Sequence, residues 1–569
     1  MVDDRCPESR RGGPKLDFRR AVPGQEEGIA VGCTTILVGR GASYDGSPIV
    51  ARNEDSANGE WNPKRIIVVS PQDQPRSYTS VIGHLTIELP DDPLRYTAAP
   101  NAVTDEGVWA EAGINSANVA MSATETLTSN ERVLGADPLV EYQPACGTPG
   151  QEDYRPEVAG GIGEEDLLTI VLPYIRTARE GVLRLGQLLE RFGTYEMNGI
   201  AFSDAEEIWW LETVGGHHWI ARRVPDDRYV TMPNQLGIDS FDLDDAFGEG
   251  REHLASPDLR EFLAGNFLDL RLPGTGPSGF LAARVGGASD GGSTGALPGG
   301  VLNPREAFGS HSDADHVYNS PRAWSMQRAL NPHAEDWDGP TARYTPASDD
   351  IPWSRVPERR ITLEDIKYVL SLHYQGTRYD PYSALGTEAQ RHLLRPIGIN
   401  RHSELSILQV RPYRPESSRS LQWVAFASNP FNTLVPLYTN VDRTPDYLAN
   451  TTGRVSTDSL YWAQRLIAAL ADGHFNEIIP EIERYQERTL AAGHAGVRVT
   501  DAALAASAGS GDRENPATGH ADQDHIRRVL EGANETIAEQ LRAETDALLG
   551  KVLVIASNLM TNRFSRSDN

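Results

Sequence analysis

Residues 33–55, CTTILVGRGASYDGSPIVARNED, constrain the fold of this chain more than any other stretch. Two runs rich in β-branched residues, TTILV and PIVAR, flank an Asp45-Gly46 pair, a pattern that predicts an antiparallel hairpin. A turn centred there sets opposite each other residues whose numbers sum to about 87–91. Asp55 then faces the Cys33–Ile36 end, and Arg52 lies slightly further along the return strand. The segment ARNED is thereby folded back beside Cys33. Arg52 and Asp55 have opposite parity on a regular strand, so both reach Cys33 only if the strand ends or bulges near Asn53.

Further strands are expected in RIIVVS (65–70) and in GVWAEAGINSANVAMSATET (107–126). In the segment that follows, Leu167, Ile170, Tyr174, Ala178, Val182, Leu185 and Leu189 recur at helical spacing, with Pro173 and Gly181 as interruptions that predict two helices or a kinked one. EIWWLETV, HHWIARRV and RYVTMPN then read as a β-meander whose Trp209, Trp210 and Trp219 are core aromatics. Thr362 and Asp365 form a capping-box pattern ahead of a helix, LSILQVRP and LQWVAFAS return to strand, and Ile526, Leu530, Ala533, Ile537, Leu541 and Leu548 form one helical stripe. Residues 286–300 and 506–524 are Gly/Ser/Pro/Asp-rich insertions with little apolar area to bury. Grouped helices between antiparallel strands indicate a layered α+β fold, not a doubly wound parallel sheet.

Composition excludes several classes of function. The net charge of −27, with 80 acidic against 53 basic side chains, argues against nucleic acid as a partner. No run of eighteen apolar residues is present, so no membrane-spanning helix is expected. The leader, residues 1–32, carries SRRGGPKLDFRR without a following apolar run. It reads as a disposable pro-segment and not as an export signal. The three cysteines, Cys6, Cys33 and Cys146, are too few for a disulfide scaffold and fit a reducing compartment, and the lack of an export signal leads to the expectation of a cytoplasmic location.

A cysteine in an apolar strand, taken alone, reads as inert core. Arg52 beside the thiol would favour the nucleophilic thiolate. No histidine lies nearby in sequence to act as base. A free α-amine at Cys33, with an ordinary pKa of roughly 7.7–8.0, would serve that role once the Gly32–Cys33 bond is cut.

CTTILVGRGASYDGSPIVARNEDS resembles the mature start of the dipeptidase A family, cysteine-type members of the N-terminal-nucleophile hydrolases. The likeness continues, in order, through NSANVAMSATET, RRVPDDRYVTMPNQ, YNSPRAWSMQRALNP, HYQGTRYDPY and RPIGINRHSELSILQVRP. The resemblance implies a four-layer αββα sandwich of two antiparallel sheets over residues 33–445, followed by a helical segment, 446–569, packed on that core. It further implies autoproteolysis that exposes Cys33, whose thiol attacks an amide carbonyl to give a thioester while its α-amine carries the proton. Through related bile-salt hydrolases and penicillin acylases, Arg52 matches the arginine beside the thiol and Asp55 the aspartate that positions the nucleophile and its amine. Asn234 of MPNQ matches the oxyanion donor, and Arg322 of NSPRAW matches a second active-site arginine. Where those relatives present an Asn or Tyr that assists the oxyanion, this chain has Glu125. A carboxylate cannot donate there, so Glu125 is expected to pair with the α-ammonium of a dipeptide.

Each of these residues also has a plain structural reading: Arg52 and Asp55 as an ion pair at a strand end, and Asn234 as a turn residue after Pro233. No cofactor and no metal are expected. The adjacent His217 and His218 would point to opposite faces of a strand, and His311 and His316 sit in the loop-like HSDADH. The resulting expectation is a cysteine-type dipeptidase acting on short peptides. The alternatives are an acylase or amidase of N-acyl amino acids on the same scaffold, or a non-catalytic relative. Oligomeric state is not readable from the sequence, and a homo-oligomer is compatible with it.

Overall fold

The computed structural model describes residues 32–56, 62–271, 300–510 and 519–563, and gives the backbone alone for 123–125, 508–510 and 519–522. Residues 1–31 of the expected pro-segment and 286–299 of the first insertion lie outside the described residues. The hairpin forms as the sequence predicts: strand Thr34–Val38 pairs with Ile49–Asp55, and Thr34 opposes Asn53, Thr35 opposes Arg52 and Ile36 opposes Ala51. Gly46 supplies the left-handed φ of 83°, and Asp45 Oδ1 accepts from the Ser47 amide at 3.0 Å to close the turn.

Two large sheets organise the chain, both built from antiparallel pairs. One has seven strands, in the spatial order Ser354–Arg355, Tyr229–Met232, Thr34–Val38, Ile49–Asp55, His402–Val410, Ser420–Phe426, Val435–Tyr438. The other has six, in the order His253–Ala255, His218–Arg223, Ile208–Val214, Asn198–Ser203, Ala120–Thr126, Ala112–Ile114. Two pieces of the expected meander, Ile208–Val214 and His218–Arg223, pair in the second sheet. The last piece, Tyr229–Met232, leaves for the other sheet and pairs with Thr34–Val38. That transfer carries the residues after Met232 to the hairpin's open end.

Period-two alternation assigns the strand side chains to three cores. Leu37, Val50, Val230 and Leu408 of the first sheet share one cluster with Ala201, Trp210 and Ile220 of the second. Ile200, Phe202, Trp209 and Trp219 pack on Leu167, Val182, Leu185 and Leu189 of helices Glu164–Val171 and Ala178–Phe192. Ile36, Ala51, Ile407 and Trp423 pack on Met326, Ile366 and Leu530. The three tryptophans expected in the core are buried.

Pro173 does separate two helices, but Gly181 lies inside the second and breaks nothing. A Cβ there would come 2.3 Å from the Phe202 ring, so this glycine serves close packing of helix on sheet. The capping box at Thr362 forms, with Asp365 N donating to Thr362 Oγ1 and Thr362 N to Asp365 Oδ2. Of the second insertion, residues 506–510 and 519–524 extend the long helices Phe475–Ser510 and Gly519–Asn558. Asn534, on the latter, bonds both the amide and the carbonyl of Tyr438 and so caps the edge strand. No helix among the described residues is long and apolar enough to cross a membrane.

Candidate active site

Cys33 stands one residue ahead of the first strand and is fully buried. Arg52, from the return strand, donates from Nη2 to the Cys33 Sγ at 2.8 Å, placing positive charge where it stabilises a thiolate. The same guanidinium is fixed from behind by Glu164 at 2.7 Å and by Glu111. Glu164 opens a helix, a favourable place for a carboxylate. Glu111 is delivered by a backbone bend in which Trp109 and Glu111 both adopt left-handed φ, 48° and 57°. Lys64, also buried, pairs with Glu54 at 2.7 Å and Glu111 at 3.5 Å. Burial, then repulsion from Glu111, pushes the Glu54 carboxyl well above the usual range against the pull of Lys64, and burial raises Glu404 to about 7. This wall therefore gathers more carboxyl groups than cations, with burial biasing Glu54 and Glu404 toward their neutral forms while Glu111 and Glu164 hold Arg52. Removing one partner would strand a buried charge, at about 3–5 kcal/mol.

Asp55 is tied to the residue before Cys33 through Arg395. Ile49–Asp55 is regular up to its end at Asp55, and the irregularity falls in the neighbouring strand, whose register slips between His402 and Glu404 so that His402 opposes Asp55. Arg395 clamps Asp55 Oδ2 and donates from the same Nη2 to the carbonyl of Gly32, the residue before Cys33. His402 Nε2 lies 3.0 Å from Asp55 Oδ1. Its Nδ1 accepts from the Asn429 amide, so the ring proton belongs on Nε2, facing the carboxylate. Burial first, then the charge of Arg395, pushes the His402 pKa well below its ordinary value and keeps the ring neutral.

Arg322 lies in the first turn of helix Ser320–Leu330, where the helix dipole disfavours a cation. Neutral acceptors hold it there: the Cys33 carbonyl, Thr34 Oγ1 at 2.8 Å, the Tyr318 carbonyl at 2.8 Å, Asn319 Oδ1 at 2.7 Å and Asn234 Oδ1 at 2.6 Å. Asn234 also donates its backbone amide to Asn319 Oδ1 at 3.1 Å. Its Nδ2, although buried, has no partner among the described residues. An amide so oriented is a donor awaiting an acceptor.

Arg52 and Arg322 thus contact Cys33 directly, whereas Asp55 is linked to the Gly32 carbonyl through Arg395 and Asn234 to the Cys33 carbonyl through Arg322. Glu125 lies in strand Ala120–Thr126, opposite Gly199 and after a register shift, and its side chain is outside the described atoms. Sequence reasoning missed Arg395, His402, Glu111, Glu164 and Tyr318. The first two fall within RPIGINRHSELSILQVRP, Tyr318 opens YNSPRAWSMQRALNP and Glu111 lies in GVWAEAGINSANVAMSATET, stretches already singled out in the sequence.

The histidines correct a different expectation. His217 precedes its strand, and the two adjacent rings do not diverge: both Nδ1 atoms bond Asp137, at 2.9 and 2.7 Å. Burial would raise Asp137, but the hydrogen bonds from His218 and His217 hold it at about 2. His316 bonds Asp349 at 2.8 Å.

A family model described as Peptidase family C69 matches residues 32–488, and the chain belongs to that family. It is accordingly a hydrolase of peptide bonds. It is 59% identical to a protein named "Dipeptidase" from Bifidobacterium longum, over 94% of this chain and 99% of that one. It is 49% identical to a "Probable dipeptidase A" of Streptococcus pyogenes serotype M18 (94% and 98% covered) and 38% identical to "Dipeptidase A" of Lactobacillus helveticus (94% and 99%).

Proposed function

We propose that this chain is a cysteine-type dipeptidase whose nucleophile is Cys33, exposed as an N-terminus by self-cleavage. One observation carries the reading. The thiol is held by Arg52 while Arg395, paired with Asp55, binds the carbonyl of the very peptide bond that must be cut. Attack of the Cys33 sulfur on that carbonyl carbon gives a thioester, and water then releases the leader as an acid and leaves a free α-amine. In turnover the amine takes the thiol proton, the sulfur attacks the dipeptide carbonyl, and Asn234 Nδ2 meets the oxyanion. The departing amino acid takes the proton back, and water hydrolyses the thioester.

The succession of cores, helices on sheet, sheet on sheet and sheet on helices, supports the four-layer αββα sandwich. In this reading residues 1–32 are the pro-segment, 33–445 the catalytic core and 446–569 a helical segment seated on it. The substrate class follows the names of relatives that share nearly the full length of the chain. A panel of dipeptides against N-acyl amino acids tests it. Dipeptides should be turned over strongly and N-acyl amino acids weakly, and the reverse order would move the assignment to an acylase.

Glu125 is assigned to the substrate α-ammonium. Glu125→Gln should raise the dipeptide KM about tenfold, the ~1.5 kcal/mol of a charge-assisted hydrogen bond, with a smaller change in kcat. An unaltered KM would remove Glu125 from that role.

A further inference from the structure

Around Tyr318, guanidiniums outnumber carboxylates. The guanidinium carbons of Arg322, Arg395 and Arg401 lie 5.1, 5.0 and 6.0 Å from its ring centroid. Arg322 has neutral acceptors and Arg395 has Asp55. Arg401 is 8% exposed and makes no ion pair among the described residues. Its Nη2 donates to Tyr318 Oη at 2.6 Å, and its Nε has no partner among the described residues. A buried guanidinium with donors to spare and no counterion calls for an anion. Its charge, after burial, also helps bring Arg395 down to about 9.

The place of this group in the site is marked by Gly32. A Cβ on Gly32 would fall 2.0 Å from Tyr318 Oη, so the hydroxyl that contacts Arg401 abuts the residue due to leave. Departure of Gly32 opens the space beside Tyr318 Oη and frees the Arg395 donor that bound its carbonyl. Cleavage would therefore produce a cationic recess next to the new N-terminal Cys33.

We propose that Arg401, presented by Tyr318, receives the α-carboxylate of the dipeptide, so that the enzyme selects substrates with a free C-terminus. This rests on the dipeptidase reading above and deepens it.

The test compares one dipeptide with its C-terminal amide, using wild type, Arg401→Gln, Arg401→Lys and Tyr318→Phe, each checked by intact mass for loss of the leader. Wild type should favour the acid over the amide at least tenfold in kcat/KM. Arg401→Gln should raise the KM of the acid 10- to 100-fold, with a smaller change in kcat, and move the amide far less. Arg401→Lys should recover part of the acid preference, and Tyr318→Phe should lose part of it. A wild type that cleaves acid and amide equally well overturns the proposal without reference to any variant and leaves the dipeptidase reading standing. A wild type that cleaves neither takes down both. Equal shifts for acid and amide in Arg401→Gln and Tyr318→Phe would make Arg401 structural and overturn its assigned role.

Discussion

Replacing Cys33 by alanine should leave the chain uncut at its expected full mass and reduce kcat/KM on dipeptides by at least about 10⁴-fold. One sulfur is assigned two jobs, attack on the Gly32 carbonyl during maturation and attack on the substrate during turnover. Its removal therefore blocks the second step twice over: no thioester can form, and the α-amine that would move the proton stays locked in a peptide bond. The fold should survive the change. Arg52 keeps Glu164 and Glu111 when the thiol is gone, and a buried thiol-to-methyl change opens little space. Intact mass, N-terminal sequencing and circular dichroism on the same preparation separate the outcomes. A folded Cys33→Ala protein that still begins at residue 33, or still turns over substrate, would end the account. Cys33→Ser is the graded version: a weaker nucleophile that should mature slowly and leave a mixture of cut and uncut chains.

Much of this site was legible because it is local. Arg52, Asp55 and Cys33 lie on one hairpin, and an Asp-Gly turn sets which residues face each other before any tertiary contact is considered. What orients these residues was not legible, because it comes from far away. Arg395 and His402 are more than 300 positions from Asp55 and meet it only because strand His402–Val410 adds beside Ile49–Asp55 with a slipped register. Nothing in local periodicity announces that slip. Likewise, HHWIARRV and RYVTMPN are equally strand-like and joined by a short turn, so the sequence favoured one continuous meander. The second strand instead pairs with Thr34–Val38 in the other sheet, and this switch is what brings Asn234 to Arg322. The pairing of His217 and His218 was misread for a related reason. Strand parity applies only within a strand, and His217 still belongs to the turn.

The second large effect should come from Asn234. Its Oδ1 is committed to Arg322 at 2.6 Å, which leaves Nδ2 as a buried donor without an acceptor among the described residues. In a resting protein such a group costs about 1–3 kcal/mol, a cost offset when an oxyanion arrives to accept the hydrogen bond. Because the oxyanion exists only in the transition state and the intermediate, the loss should fall on kcat. Asn234→Ala should lower kcat about 10²- to 10³-fold, with KM changed only a few-fold. The decisive companion is Asn234→Asp. It preserves the oxygen that accepts from Arg322, and with it the local network, but turns the donor into a second acceptor facing the developing negative charge. If Asn234 worked only by holding Arg322, the Asp variant would keep nearly full kcat while the Ala variant lost it. If Nδ2 is the oxyanion donor, the Asp variant should be at least as slow as the Ala variant, because it adds repulsion to the missing hydrogen bond.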